Sequence, residues 1–223
     1  MKLVYQTLLD IVFPRTSYER WLEHISADFV RKYCPPGSLN GLPLGVRPLF
    51  AYKDQHIGAM IHQAKFFRSA ACLELIADMV CAAILEDFAA SRENSPDIIV
   101  TWVPARRRRL RTYGYCQGKL LAELIRAKLR QRGCVASARQ FLRRRPKLFD
   151  REQKLLSRSK RLARKNPFVL RRQKSAFPMR PIHIWIIDDV ATTGFTLDMA
   201  RETIYRGMPA GAAITIRCLA FAH

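Results

Sequence analysis

Two uninterrupted apolar runs, rich in β-branched residues, constrain this chain more than anything else in it. Asp97-Ile98-Ile99-Val100-Thr101-Trp102-Val103 and Ile182-His183-Ile184-Trp185-Ile186-Ile187 show no regular polar–apolar alternation. A strand with one wet face alternates, so these two read as strands covered on both faces, as in a parallel sheet between helices. The rest of the chain supplies the partners. Val46 to Tyr52 suits a first strand, and helical periodicity runs from about Ile57 to Phe67 and from Ala70 to Phe88. Further helices are expected from about Tyr115 to Arg130 and from Thr196 to Arg206, with a last strand from Ala213 to Ala220. Strands alternating with helices imply an α/β fold: a mostly parallel, twisted sheet flanked by helices.

Residues 1–45 stand outside that pattern. Scattered helical periodicity (Leu8, Ile11, Val12, Trp21, Leu22, Ile25, Phe29) gives way to a turn-rich stretch from Cys34-Pro35-Pro36-Gly37 to Pro43. The expected organisation is an N-terminal helical appendage over 1–45 and one α/β domain over 46–223. At 223 residues with 49% apolar content, one sizeable core is within reach.

Charge is the outlying property. Lys and Arg number 39 against 18 acidic residues, a formal net charge of +21. Five arginines crowd 106–111, and 16 basic residues against only Asp150 and Glu152 fall in a block over 139–180. A field of that sign attracts polyanions, whether nucleic acid, phosphorylated metabolites or an anionic surface. The block lacks a clean apolar face, which weighs against a membrane-surface role. Phe141, Phe149, Phe168 and Phe177 are interleaved with its arginines. Cationic grooves with aromatic stacking faces bind single-stranded DNA, and Arg143, Arg144, Arg145, Lys147, Arg158, Lys160, Arg161 and Arg164 are the candidate contacts. The competing reading is a solvated positive surface with its aromatics tucked into the core. Six cysteines include no C-x-x-C pair and no close Cys/His cluster with zinc spacing, so they read as small buried hydrophobes in a reducing compartment. No secretory signal and no transmembrane run is evident, and the expected location is cytoplasmic.

The string that carries chemistry is Ile186-Ile187-Asp188-Asp189-Val190-Ala191-Thr192-Thr193-Gly194-Phe195-Thr196-Leu197. It reads as a strand, an acid pair at its carboxyl end, a hydroxyl-and-glycine turn and a helix. Open α/β sheets bind ligands beyond the carboxyl ends of their strands. A turn opening a helix aims amide N–H groups outward, with the positive end of the helix dipole behind them, and Thr192, Thr193 and Thr196 add hydroxyls. Ala191 to Thr196 is thus a candidate cradle for one monophosphate, with Gly194 giving the backbone its tight curl. Asp188 and Asp189 stand where the vicinal hydroxyls of an attached ribose would lie.

This string resembles the phosphoribosyl-pyrophosphate signature of type I phosphoribosyltransferases. Most of the chain, about 48–220, resembles the ComF/GntX branch of that superfamily, associated with DNA uptake and natural transformation. The branch resemblance rests on Tyr52 with Met60-Ile61-His62-Gln63-Ala64-Lys65-Phe66, on Val103-Pro104 with Gly114-Tyr115 and Gln117, and on Gln153, Leu156, Ser157, Arg161 and Phe168. It implies a type I phosphoribosyltransferase-like fold that binds phosphoribosyl pyrophosphate and Mg²⁺, the ion held through the ligand and by Asp188 and Asp189. It also implies transfer of phosphoribosyl to an acceptor, or a non-catalytic accessory protein in DNA uptake that keeps the pocket as a sensor. Arg106, Arg107, Arg111 and Gly114 would hold pyrophosphate, and the basic block would form a lid. Lys65 either joins that side of the site or caps its helix. Neither loop has an adjacent His or Glu to serve as general base, and His183 reads as core. The chain departs from the branch in lacking its four-cysteine zinc ribbon, so no zinc is expected. Tyr113, Cys116, Arg164 and Phe195 also replace the usual residues, mostly on the pyrophosphate side.

Overall fold

Five strands pair in the order β1-β7-β6-β2-β3, and every pairing between them is parallel. They are β1 (Val46–Phe50), β2 (Asp97–Trp102), β3 (Ala136–Ala138), β6 (Ile182–Val190) and β7 (Ile214–Ala222). A separate antiparallel pair joins β4 (Leu142–Arg144) to β5 (Phe168–Leu170). The helices are α1 (Ala27–Tyr33), α2 (Gln55–Phe66), α3 (Ala70–Ser91), α4 (Arg107–Tyr113), α5 (Gln117–Gln131) and α6 (Phe195–Arg206). This computed structural model describes residues 22, 25–91, 97–145, 166–171, 181–209 and 211–223, and every structural statement below refers to them.

The two apolar runs are the central strands. All six residues of β2 are buried, as are the first six of β6, and they pair from Asp97↔Ile182 to Trp102↔Ile187. Side chains of a strand alternate between faces, so each run feeds two cores. Ile98, Val100, Trp102, Trp185 and Ile187 pack with α2, α3 and α5 on one face, whereas Ile99, Ile184 and Ile186 pack with α6 and the β4–β5 pair on the other. The sheet is therefore the middle of three layers, as continuous hydrophobicity requires.

The helices lie where periodicity put them, with one addition. The arginine run after β2 expected as a loop is the short helix α4, and it ends at Gly114 in the left-handed conformation (φ 72°). The next helix consequently begins at Gln117, two residues later than its periodicity suggested. Gly118 lets α5 press onto β2, because a Cβ there would meet the Cβ of Trp102 at 3.1 Å. Lys128 of α5 reaches Glu74 at 2.6 Å and Asp78 at 3.0 Å, tying α5 to α3.

Residues before β1 share the core they lead into. Val30 and Cys34 are buried with Phe50, Ile57 and Met60, and Pro36 forms a bridge with Phe50. Ser26 caps α1 by accepting from the Phe29 N–H at 3.2 Å. On the opposite face Asn166 fastens the β4–β5 pair to α6, donating to Thr203 Oγ1 at 2.8 Å and to the Met199 carbonyl at 3.2 Å. Phe141 and Phe168 are fully buried beneath that pair, so neither offers a stacking face to a nucleic acid. Their aromatic bulk closes the second core instead. Phe149 and Phe177 lie outside the described residues. No described helix is long and apolar enough to cross a membrane.

Candidate functional site

β6 is the middle strand of the sheet, and its last residues open onto a cavity of about 530 Å³. Ligand pockets run to roughly 300–1,000 Å³, so a nucleotide-sized molecule fits. Asp188, Asp189, Thr192 and Thr196 line one side, Arg106, Arg109 and Arg144 another, with Lys65, Tyr52, Tyr113, Tyr115 and Gln117 between them. These groups come from five separate stretches of the chain, joined only by the fold.

The acid pair is electrically divided. Burial first, and then the neighbouring Asp189 charge, hold the Asp188 carboxyl well above the usual carboxylate range. Burial also works against ionisation of Asp189, but the ammonium of Lys65 and hydrogen bonds from Asp188 and Lys65 outweigh it and bring Asp189 below that range. Lys65 Nζ donates directly to Asp189 Oδ2. The Asp189 backbone N–H donates to Asp188 Oδ1 at 3.0 Å. The two carboxyls thus differ in acidity, Asp188 holding its proton the more tightly, and together they present several acceptors. A vicinal diol, whose hydroxyls donate, matches that set.

Lys65 is thus the counter-ion of the acid pair rather than a helix cap, and it lines the cavity. It reaches there because α2 ends at Phe66, one turn past the buried Ile61. Tyr115 secures that end by donating its hydroxyl to the carbonyls of Lys65 at 2.8 Å and Ala64 at 3.1 Å. Asp54 starts the same helix, accepting from the His56 and Ile57 N–H groups at 3.0 and 3.1 Å.

Beyond the acid pair the chain turns and enters α6. Ala191 is buried and its N–H is spent on the Ala222 carbonyl at 2.9 Å, so this residue closes the sheet and leaves the cradle to its successors. From Thr192 to Leu197 no described residue accepts the backbone N–H groups. The first internal bond of α6 is Asp198 N–H to Gly194 O at 3.0 Å, and the N-cap Gly194 has no side chain to satisfy the others. Thr192 and Thr196 line the cavity; Thr193 and Phe195 are exposed outside it. Gly194 has φ 63°, as a tight left-handed turn needs, but the space a Cβ would fill is occupied by Pro43, whose Cδ lies 2.5 Å from that position. The glycine accommodates this neighbour as well as the curl of the turn. His223 bridges the same turn to the preceding stretch, its ring nitrogens at 3.0 Å from the Thr192 carbonyl and 2.9 Å from that of Ser38.

The arginine side divides by helical phase. Arg106 is the N-cap of α4 and Arg109 lies three residues on, the spacing that puts both on one face. They line the cavity, whereas Arg107, Arg111 and Gly114 do not. The Gly114 N–H caps α4 by donating to the Leu110 carbonyl at 2.9 Å, and so is not offered to a ligand. Arg144 reaches in from β4, its Nε donating to the Pro104 carbonyl at 2.7 Å and its guanidinium 5.0 Å from the Phe168 ring centre. Burial, then repulsion from Arg106 and Arg109, lowers its affinity for its proton. Three guanidiniums so placed form a wall that an anion would relieve.

Arg144 therefore belongs to the cavity, while Arg143 and Arg145 are exposed beside it. Lys147, Arg158, Lys160, Arg161 and Arg164 lie outside the described residues. Arg109, Arg144, Tyr52 and Tyr115 were not singled out as cavity residues by sequence. Only Arg109 had a signal, its helical spacing from Arg106, and that becomes readable once the run is taken as a helix.

Fold and site together define a mixed α/β protein whose parallel sheet carries a polar cavity at the carboxyl end of its central strand. The chain matches no model of a known protein family and no curated protein.

Proposed function

We propose that this protein is a type I phosphoribosyltransferase-like protein of the ComF/GntX kind, whose cavity binds phosphoribosyl pyrophosphate together with Mg²⁺. One observation carries the reading. Amides at the β6–α6 junction that no described residue accepts from lie next to an acid pair whose members differ in acidity, across a cavity from Arg106, Arg109 and Arg144. A sugar with an anion at each end and a diol between would use all three features. The 5′-phosphate would take the amides and the Thr192 and Thr196 hydroxyls, the diol would take Asp188 and Asp189, and the pyrophosphate would face the guanidiniums.

The carboxylates of Asp188 and Asp189 are hard oxygen donors of the type Mg²⁺ prefers. When bound, that ion supplies charge neutralisation for the pyrophosphate. The chain's own residues orient the sugar and hold positive charge where a leaving pyrophosphate gathers its negative charge. An acceptor would then attack C1 while pyrophosphate departs. A role in DNA uptake or nucleotide-related metabolism follows from the resemblance alone.

The alternative, a single-stranded-DNA-binding accessory protein that uses the pocket as a sensor, keeps exposed Arg143 and Arg145 but loses Phe141 and Phe168 as stacking partners. The cavity geometry favours the first reading. Thermal denaturation tests it: millimolar phosphoribosyl pyrophosphate with Mg²⁺ should raise Tm by several degrees, and Asp188→Asn with Asp189→Asn should abolish the rise. An unchanged Tm in the wild-type protein would overturn it. Pyrophosphate release with candidate acceptors then separates an enzyme from a sensor.

A further inference from the structure

A second cluster of chemically active side chains lies away from the cavity, where the stretch before β1 meets the start of α2. Cys34 sits at the C-terminal end of α1, Asp54 is the N-cap of α2, and His56 is in its first turn. Their Sγ, carboxylate oxygen and ring nitrogen all lie within 4.8 Å of one another. We propose that Cys34, Asp54 and His56 form a site for a thiophilic divalent cation of the zinc class, which fastens the N-terminal stretch to the α/β domain.

Ligand chemistry selects the ion. A thiolate and an imidazole favour zinc-class metals over Mg²⁺ or Ca²⁺, and one sulfur, one nitrogen and one oxygen make a common donor set for zinc. With bonds of about 2.3 Å to sulfur and about 2.0–2.2 Å to nitrogen and oxygen, tetrahedral ligand atoms stand roughly 3.3–3.7 Å apart. His56 Nδ1 and Asp54 Oδ1 are already 3.4 Å apart, within that range.

The surroundings support it. Cys34 is buried, while the His56 and Asp54 side chains are 32% and 17% exposed, leaving a path for the ion. Asp54 gives Oδ1 to two backbone N–H groups, which fixes the carboxylate, and its side chain also accepts from the Cys34 thiol, whose proton a bound metal would replace. No described Lys or Arg pairs with Asp54; its close neighbours are His56 and the Cys34 thiol. Binding replaces the thiol proton by the metal, so one proton is released to solvent from Cys34 for each ion taken up. The trio escapes a search by sequence spacing because its thiol is separated from the other two ligands by the whole of β1.

Co²⁺ is the probe, as a coloured stand-in for zinc. Titrating the full chain should give one bound ion with a thiolate-to-cobalt charge-transfer band in the near ultraviolet, bleached by an equivalent of Zn²⁺. Cys34→Ser should remove the band, and His56→Ala should weaken Co²⁺ binding by about tenfold or more. Cys72→Ser and Cys134→Ser should retain both. Zn²⁺ alone should raise the Tm of the wild-type protein and not that of Cys34→Ser. An absent thiolate band, or one that survives in Cys34→Ser, would overturn the assignment. The sugar-pyrophosphate site is untouched by these substitutions, so the two readings stand or fall separately.

Discussion

Tyr115 holds the carbonyl of Lys65 at 2.8 Å, and through it the cation that pairs with Asp189. The loop leading into α5 and the end of α2 are thereby locked together on one wall of the cavity. Tyr115→Phe removes a partly buried hydrogen bond while keeping the ring. It should cost about 0.5–1.5 kcal/mol in chemical denaturation. Calorimetry should also show weaker binding of phosphoribosyl pyrophosphate with Mg²⁺, since Lys65 is then less firmly placed. Unchanged affinity would mean that the tether is structural only.

The acid pair makes stability depend on pH in two opposite senses. Asp188 holds its proton more tightly in the folded protein than in the unfolded chain. Its contribution is therefore favourable at low pH and is lost as pH rises from the ordinary carboxylate value through its raised one. Asp189 is shifted down, so its contribution is present above the ordinary value and lost as pH falls. Above the ordinary carboxylate value, Asp188→Asn should stabilise the ligand-free protein and flatten its loss of stability as pH rises. Asp189→Asn should destabilise it by roughly 2–3 kcal/mol, because Lys65 loses the carboxylate it pairs with in a mostly buried place. Tm measured across pH for both variants checks the signs.

The helical phase of α4 makes a sharp division within one arginine run. Arg106→Gln and Arg109→Gln should each weaken pyrophosphate-dependent binding by about tenfold, the scale of one charge-assisted contact. Arg107→Gln and Arg111→Gln should leave it within about twofold. Equal effects from all four would mean that general charge matters and direction does not.

Phe141→Ala should reduce stability by about 3–5 kcal/mol, the usual cost of emptying a core of an aromatic side chain. Any loss of nucleic-acid affinity in that variant should track the loss of folded protein. The paired substitution Arg143→Gln with Arg145→Gln should keep stability within about 0.5 kcal/mol and test the exposed surface by itself.

The layered fold was legible because β2 and β6 are buried on both faces and announce it through Ile98 to Trp102 and Ile182 to Ile187. The junction from Asp188 to Thr196 was legible too, since acid pair, turn and helix follow one another along the chain. What escaped reading depends on contacts between distant segments. The pairing of Lys65 with Asp189 spans 124 positions, and no local pattern announces it. Arg106 and Arg107 look alike in a run of arginines until a helix points them apart. Phe141 and Phe168 sit among cations in sequence and beneath a hairpin in space, because α6 and Asn166 fold that hairpin over them. Gly194 announces the tight curl of the turn, but its neighbour Pro43 is invisible in the sequence.

The Pro43 ring against Gly194 has a consequence for how such a chain can change. With Leu44 O held by Arg201 at 2.6 Å and Ser38 O reached by His223, the stretch over 38–44 is a wall of the β6–α6 turn. A graft that replaces it with another sequence, however well folded, would alter how far that turn can open. Substitutions in the stretch and in the turn must therefore suit one another.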